Sequence, residues 1–395
     1  MKSISRKNFL STIGIVGVGA MVAPSVIANN EVSMDFTNEK PLTPFGRKIR
    51  VGVIGCGSVA RKYLPHLSAC PFAEIVSLCD IIPAKAQTNA EEFNVPNWYP
   101  HIDKMFAGVP FDLFVNLTNM QEHGRLNTIA INAGKHVWSE KPMANTYHEG
   151  AALVKLAAQK GTKIWGAPVV ANSPQFAFMS QHIQAGKLGN IAGGHASYGH
   201  TGPLWSSFFY EKNGGSLPDL GVYNIATMTG LLGPAKSVIA MTSIVTPTRE
   251  IEDKGLINVE AEDNAHLILD HGNGVLTHIQ CGFNYVSPHG YEGEELTTLF
   301  IGGRDSRLDM IGYDWAPFRV DVTSESATKP FATDRGTYKW EEGASVICEH
   351  LSTGKELVIN VAHTLHVLEI IEATRLSQVT GKRIPLKSTF KFPII

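Results

Sequence analysis

The chain has 395 residues, 44% of them hydrophobic, and its 34 Lys and Arg nearly balance its 36 Asp and Glu. This length is enough for two domains of about 100–200 residues each. The net charge of −2 argues against nucleic acid as a partner, because nucleic-acid-binding proteins usually carry a basic face.

The N-terminus has the pattern of an export signal. Lys2, Arg6 and Lys7 precede an apolar run rich in small residues that ends near Ala28. A charged segment, an apolar segment and a small-residue cleavage site are typical of a secretory signal. We therefore expect residues 1–28 to be a signal peptide and the mature protein to be periplasmic or secreted.

Two points about this segment stay open. A membrane anchor is the alternative, but Gly, Ser and Pro interrupt the run, so we expect no stable membrane span after signal removal. The stretch SRKNFL resembles the twin-arginine export motif with Lys7 in place of the second arginine, so both the Sec and the twin-arginine routes are possible. The polar residues 29–48, with two prolines, are expected to form a linker or arm.

Strand and helix patterns alternate, with short connections, from Ile49 to about residue 170. Five strand patterns are rich in apolar residues, as buried parallel strands are: IRVGVIG, AEIVSLCD, FDLFVNLT, HVWSEK and TKIWGAPVV. The alternation predicts a doubly wound parallel sheet in residues 49–170.

Residues 171–395 have a different pattern, with longer alternating segments joined by turns. The run Asp270–Gly274 predicts a hairpin, because Asn-Gly pairs favour tight two-residue turns. The stretch 355–381 has helical spacing. These features predict a second domain with a largely antiparallel sheet and a few helices.

The first strand leads into a glycine-rich turn. Gly55, Gly57 and Ala60 form a G-x-G-x-x-A pattern directly before a predicted helix, with Ser58 and Val59 between them. The first glycine allows the turn, the second lets the backbone approach a pyrophosphate, and the small third residue lets helix pack on strand. In this context the motif predicts dinucleotide binding at the helix N-terminus. The alternative is an empty strand–helix turn.

Asp80 ends the second predicted strand. An acidic residue about 20 positions after the glycines binds the ribose 2′-hydroxyl in dinucleotide sites. A carboxylate there would repel a 2′-phosphate, so NAD is favoured over NADP, although Lys85 is close in sequence.

Polar side chains follow the third and fourth of these strands. Thr118 and His123 come after one, and Glu140, Lys141 and Pro142 end the other. Ligands of open α/β sheets lie outside the carboxyl ends of the strands, so Lys141 is placed for chemistry. Pro142 restricts the backbone of the lysine before it. The alternative is a solvated surface lysine.

The stretch GKHVWSEKPMA, together with the glycine turn, resembles the Gfo/Idh/MocA family over about residues 49–390. The stretch GGSLPDLGVYNIATMTGLLG resembles the second domain of that family. The resemblance implies a Rossmann domain followed by an α/β domain with a large open, mainly antiparallel sheet. It also implies an NAD(P)-dependent oxidoreductase that acts on CH-OH groups of sugars.

The resemblance also assigns roles to residues. Lys141 would lie between the nicotinamide ribose and the substrate, and Asp219 matches a substrate-binding or catalytic aspartate. Tyr223 stands where many members carry a catalytic histidine. Because Asp219 and Tyr223 are four residues apart, they would share one face of a helix. A core aromatic is the alternative for Tyr223. Thr118 and His123 match the family motif after the third strand, whose Pro and Asn are replaced here. With Glu140, they are expected to contact the cofactor.

The leading hypothesis is an exported oxidoreductase that transfers hydride between NAD and a secondary alcohol of a sugar or glycoside, in the manner of a glucoside 3-dehydrogenase. Tyr223, its pKa lowered by Lys141, would be the acid/base, or Lys141 would relay the proton, and Asp219 would orient the hydroxyls. One alternative is an NAD-requiring glycosidase acting through a 3-keto intermediate and elimination. Another is a non-catalytic sugar- or nucleotide-binding protein.

Several expectations concern partners. An exported enzyme would meet little free NAD, so tight binding of the cofactor is expected. A homo-oligomer is expected as well.

His363 and His366 are three residues apart on a helical pattern, but no carboxylate spacing completes a metal site, so no metal is expected.

Overall fold

The computed structural model describes residues 42–286, 296–332 and 338–394. The predicted signal peptide and most of the predicted arm lie outside these residues. Within the described part of the chain, none of the helices has both the length and the apolar character needed to cross a bilayer.

The first half forms a parallel sheet of six strands, covered by helices. Its strands are β1 (Ile49–Ile54), β2 (Ala73–Cys79), β3 (Trp98–Tyr99), β4 (Leu113–Asn116), β5 (His136–Ser139) and β6 (Ile164–Gly166). They lie in the order β3-β2-β1-β4-β5-β6. The helices are α1 (Ala60–Ala69), α2 (Pro83–Glu92), α3 (Ile102–Ala107), α4 (His123–Asn132) and α5 (Tyr147–Lys160).

This arrangement confirms the predicted doubly wound sheet. The strands β4 and β5 are buried along their whole length, which is why consecutive apolar residues, Leu113–Val115 and Val137–Trp138, replace an alternating pattern. Helix α5 begins where the Thr146 side chain accepts a hydrogen bond from the Glu149 amide, and it ends at Gly161 with φ +70°. The strand β3 was not predicted, because two residues carry no periodicity.

The second half contains a sheet of nine strands and a separate hairpin. Its strands are β7 (Ile191–Gly199), β8 (Ser237–Ser243), β9 (Thr248–Ile251), β10 (Gly255–Asn258), β11 (Asn264–Gly272), β12 (Val275–Gly282), β13 (Thr297–Gly303), β14 (Ser306–Tyr313), β15 (Ala316–Ser324), β16 (Thr328–Ala332) and β17 (Ile384–Pro385). The helices are α6 (Pro174–Gln184), α7 (Val222–Leu232), α8 (Gly343–Thr353) and α9 (Val361–Thr380).

The nine strands lie in the order β16-β15-β14-β13-β7-β12-β11-β8-β17, and β9 pairs with β10. Neighbours are antiparallel except for β7 and β12, which are parallel. The sheet is therefore mixed but mainly antiparallel, as the resemblance implied. The predicted hairpin joins β11 and β12, with Asn273 at φ +54° and Gly274 at φ +83°.

Helix α9 begins at Val361, six residues after the start of the predicted helical stretch. The Asn360 side chain accepts a hydrogen bond from the Ala362 amide and so caps the helix there. Helix α8 packs on the core of the first sheet through Ile347, Cys348 and Leu351, so the late chain returns to the first half. The boundary between domains at residue 170 stays a prediction.

Candidate active site

The glycine turn at the end of β1 has the geometry that dinucleotide binding needs. Gly55 has φ +88°, and a Cβ there would lie 2.6 Å from the backbone of Leu117, so only glycine fits. A Cβ on Gly57 would meet no atom within 4 Å. Ala60 is fully buried where α1 packs on the sheet. The surface above Gly57 is therefore open for the close approach of a phosphate.

Asp80 follows β2 and is bonded to this turn. Its Oδ2 accepts a hydrogen bond of 2.7 Å from the Cys56 amide, and its Oδ1 accepts one of 2.7 Å from the Ile82 amide. Each carboxylate oxygen can accept a further hydrogen bond. Asp80 thus fixes the glycine turn and retains capacity for a ribose hydroxyl.

These residues fit the NAD that the sequence predicts. Among the described residues, no hydrogen-bond acceptor faces the amides of Gly57 and Ser58, which lie at the N-terminus of α1. Such amides bind phosphate oxygens. The open space at Gly57 and the carboxylate of Asp80 complete the arrangement. Gly55, Gly57, Ser58 and Asp80 would therefore hold the dinucleotide.

Lys141, Asp219 and Tyr223 come together as the resemblance implied. The Lys141 Nζ donates hydrogen bonds to Asp219 Oδ1 at 2.7 Å and to the Asp219 backbone oxygen at 2.6 Å. It lies 5.0 Å from the centre of the Tyr223 ring. Lys141 follows β5, whereas Asp219 lies in the turn before α7 and Tyr223 lies in the first turn of α7. The two halves of the chain therefore meet at this lysine.

The ionisation of this group differs from the prediction. Burial, together with the Glu140 and Asp219 carboxylates, raises the pKa of Tyr223 well above its usual value. The predicted lowering by Lys141 is wrong, because its ammonium faces the ring and pairs with Asp219. For Lys141 itself, burial opposes the charge, but Asp219 and Glu140 outweigh it and raise the pKa. Both residues hold their protons at neutral pH.

Glu140 lies beneath the lysine. Only 6% of the residue is exposed, and its Oε1 accepts a hydrogen bond of 2.7 Å from the Tyr63 hydroxyl. Its Oε2 accepts one of 2.9 Å from the Lys141 amide. Tyr63, fully buried in α1, also lies 3.3 Å from the Trp138 Nε1 donor. Glu140 therefore positions the end of β5, and its predicted contact with the cofactor stays a prediction.

His123, like Glu140, is buried and bonded to the ends of the strands. It is 1% exposed, and its ring nitrogens lie 2.7 Å from the Pro142 oxygen and 3.0 Å from the Thr118 oxygen. Thr118 in turn donates through its hydroxyl to Asn116 Oδ1 at 2.7 Å. These bonds tie the ends of β4 and β5 together. The predicted cofactor contacts of His123 and Thr118 stay predictions.

Replacing Tyr63 with phenylalanine tests this support. The change leaves the Glu140 Oε1 acceptor and the Trp138 Nε1 donor without a partner, which costs about 1–3 kcal/mol. We expect the free energy of unfolding in a urea titration to fall by that amount. The control is Tyr147→Phe, since the Tyr147 hydroxyl has no hydrogen-bond partner in the described chain. An equal loss in both variants would contradict the role of Tyr63.

Two further side chains near Lys141 were not predicted from the sequence. Tyr198, on β7, lies close enough for its phenol to raise the pKa of Lys141. His200, just after β7, has its pKa lowered by burial, with Asp219 and Lys141 among the charges that act on it. Neither belongs to a motif, and only the strand order brings β7 beside α7.

Asp314 is the most buried carboxylate near the site. It is 1% exposed, and its Oδ2 accepts hydrogen bonds from Asn224 Nδ2 at 2.9 Å and Thr227 Oγ1 at 3.0 Å. Burial nevertheless raises its pKa to about 6. It lies in the turn between β14 and β15 and bonds that turn to α7.

This shift predicts how stability depends on pH. The folded state holds a proton on Asp314 up to pH about 6, whereas the unfolded state loses it near the ordinary value of 3.8. The folded state therefore binds more protons between these values, and the Asp314 contribution to stability falls as pH rises through that window, by about 3 kcal/mol. We expect Asp314→Asn to remove this part of the pH dependence of the melting temperature. If the melting temperature of Asp314→Asn depended on pH as that of the wild type does, the raised pKa of Asp314 would be contradicted.

The remaining candidate residues are structural. His363 Nε2 lies 2.9 Å from Thr229 Oγ1, and His366 Nε2 accepts a hydrogen bond of 3.0 Å from the Ala235 amide. The described residues contain no group of three or more His, Cys, Asp or Glu that could hold a metal ion.

Family models match both halves of the chain. Residues 49–167 match the model described as "Oxidoreductase family, NAD-binding Rossmann fold", and residues 176–306 match the "GFO/IDH/MocA C-terminal domain". The chain therefore belongs to the Gfo/Idh/MocA family of oxidoreductases.

Two dehydrogenases are similar to this chain over most of its length, at low identity. D-apiose dehydrogenase of Paraburkholderia graminis is 24% identical, over 87% of this chain and 91% of that protein. The scyllo-inositol 2-dehydrogenase (NADP(+)) IolW of Bacillus subtilis is 25% identical, over 86% of this chain and 96% of that protein.

Solved structures share the fold. Levoglucosan dehydrogenase in complex with NADH and levoglucosan has a TM-score of 0.74 at 18% identity, over 86% of this chain and 99% of that chain. The aldose-aldose oxidoreductase of Caulobacter crescentus, complexed with glycerol, has a TM-score of 0.73 at 20% identity, over 86% of this chain and 100% of that chain.

Proposed function

We propose that this protein is an exported, NAD-dependent oxidoreductase that transfers hydride between nicotinamide and a secondary alcohol of a sugar or glycoside. One observation carries the proposal. The Lys141 ammonium is held between the Asp219 carboxylate and the Tyr223 ring, at the same edge of the parallel sheet as the open glycine turn. The relatives named as sugar and inositol dehydrogenases support the substrate class.

The chain supplies proton donors for this reaction. When bound, the nicotinamide ring accepts the hydride or returns it. Lys141 and Tyr223 both hold protons, so each can donate one to the oxygen of a ketone. In the oxidation direction one of them must first lose its proton to solvent, and the neutral amine or the phenolate then takes the proton of the sugar hydroxyl. Asp219, in contact with Nζ, holds the lysine in place. General acid–base catalysis of this kind is typically worth about 10²–10⁴-fold in rate.

The cofactor and its retention belong to the same proposal. The Asp80 carboxylate beside the glycine turn would repel a 2′-phosphate, which supports NAD over NADP. Tight binding follows from the export signal proposed for residues 1–28, because an exported enzyme meets little free nucleotide. A retained cofactor must be regenerated, either by a second sugar or by re-reduction of the same substrate.

The finer form of the proposal is oxidation of a glucoside at C3. A screen of free sugars and glycosides tests it, with the absorbance of reduced nicotinamide as the signal and NAD and NADP compared. We expect NADH to form with at least one glycoside, and a ketone product to accumulate. Cleavage of an aryl glycoside without accumulation of a ketone would favour the glycosidase alternative. A protein that binds neither nucleotide would refute both.

A further inference from the structure

Four aromatic rings from three elements lie together beside Lys141. Tyr198 belongs to β7, Tyr223 to α7 and Tyr313 to the end of β14, and Trp315 lies in the turn between β14 and β15. The Tyr198 and Tyr313 rings are 4.8 Å apart, and Tyr313 stacks on Trp315 at 5.2 Å with 15° between the ring planes. Trp315 lies 6.4 Å from Tyr223, which links the stacked pair to the candidate acid/base.

Tyr313 and Trp315 do not belong to the hydrophobic core. Both are half-buried, and neither is part of the core cluster that fills the space between the second sheet and its helices. Two stacked aromatic rings that keep an accessible surface inside a site offer a flat apolar face. Such a face suits the C–H face of a sugar ring, since ligand pockets combine apolar walls with a few placed polar groups.

Polar atoms without partners lie beside these rings. In the described chain, the Trp315 Nε1 donor and the Asn224 Oδ1 acceptor are buried and make no hydrogen bond. The Tyr338 hydroxyl is also buried without a hydrogen bond. Burial raises its pKa, and Glu342, Tyr223 and Asp314 add to that rise. Buried polar atoms are normally hydrogen-bonded, so a cluster of unpaired ones needs a reason. These atoms are closed to solvent as the side chains stand, so the hydroxyl groups of a bound sugar pair with them only after the side chains turn toward it.

Asp314 fixes the orientation of the stacked pair. It lies between Tyr313 and Trp315, and it accepts hydrogen bonds from Asn224 and Thr227 of α7. The same helix carries Tyr223 in its first turn. These bonds therefore fix the position of the turn relative to Tyr223, the candidate acid/base.

We propose that Tyr313 and Trp315 form the platform on which a pyranose ring packs, with Trp315 Nε1 donating a hydrogen bond to the sugar. The inference rests on the proposed function and narrows its substrates to closed pyranose rings, in preference to open-chain polyols. Asp314 acts as a positioning residue for the platform. Open chains lack a rigid C–H face, so they gain less from the two rings.

The test measures binding as well as turnover. Methyl β-glucopyranoside and sorbitol are the probes, added to the NAD-loaded protein, with dissociation constants from calorimetry and ring-proton contacts from saturation-transfer NMR. We expect the glucoside to bind more tightly than sorbitol, with its ring protons saturated by the protein. Trp315→Ala should weaken glucoside binding about tenfold or more, because the face contact and the hydrogen bond are both lost.

Two further variants complete the test. Trp315→Phe keeps the apolar face but loses the donor, so saturation transfer should persist while affinity falls less than in Trp315→Ala. The control is Trp98→Ala, on the edge strand of the first sheet, which should bind both probes normally. Equal affinity of wild type and Trp315→Ala, or equal binding of both probes, would overturn the platform. Normal glucoside binding without any NADH formation would instead refute the proposed function and leave the platform standing.

Discussion

The Lys141→Met variant is expected to bind NAD normally and to lose turnover by at least about 10²-fold, in line with the loss of a general acid or base. Methionine keeps the length and apolar stem of lysine but removes the ammonium. Asp219 then loses the partner at 2.7 Å, and the site loses the group that bridges the two halves of the chain. Single-turnover kinetics with a saturating sugar measure the effect, and fluorescence of bound reduced nucleotide measures cofactor affinity.

The matched control is Lys155→Met, since Lys155 is an exposed lysine on α5. This variant should retain full activity. Turnover of Lys141→Met within twofold of wild type would remove Lys141 from the mechanism. A parallel loss of nucleotide affinity would show that the lysine serves binding rather than proton transfer.

The Gly57→Ala variant is expected to fold as the wild type does and to lose affinity for NAD. A Cβ at this position meets no protein atom within 4 Å, and the backbone does not adopt a positive φ. The added methyl group therefore clashes only with a bound pyrophosphate, at a cost of about 1–3 kcal/mol. The dissociation constant should rise by about 5- to 150-fold. Calorimetry on the nucleotide-free protein measures it.

Gly302→Ala is the control for this change. Its added Cβ would meet only the Gly193 oxygen, at 3.9 Å, which is an ordinary contact. Both variants should keep the melting temperature of the nucleotide-free protein. Unchanged NAD affinity in Gly57→Ala would mean that the cofactor does not approach the glycine turn.

Much of the fold follows from sequence periodicity. The strands β1, β4 and β5 carry apolar residues on both faces because helices cover both faces of the first sheet, and that pattern is visible without coordinates. The hairpin at Asn273 and Gly274 was predictable because few other residues adopt positive φ. The short strand β3 was not predictable, since two residues carry no periodicity. The later start of α9 was not predictable either, since it depends on one capping side chain.

The candidate site was predictable only in part. Lys141, Asp219 and Tyr223 stand in recognisable motifs, and the structure brings them together. Tyr63 stands in none, because its position depends on how α1 packs beneath β5. The direction of the Tyr223 pKa shift was also beyond sequence, since burial is a property of the folded chain.

Transfer of deuterium from a labelled sugar tests whether the protein moves hydride to nicotinamide. The NAD-loaded protein is incubated with a sugar or glycoside from the screen that carries deuterium on the carbinol carbon to be oxidised. Mass spectrometry then measures the recovered reduced nucleotide. We expect the deuterium to be found in the nicotinamide ring, and we expect Lys141→Met to transfer almost none over the same time. Deuterium released to solvent, with an unlabelled nucleotide, would contradict it.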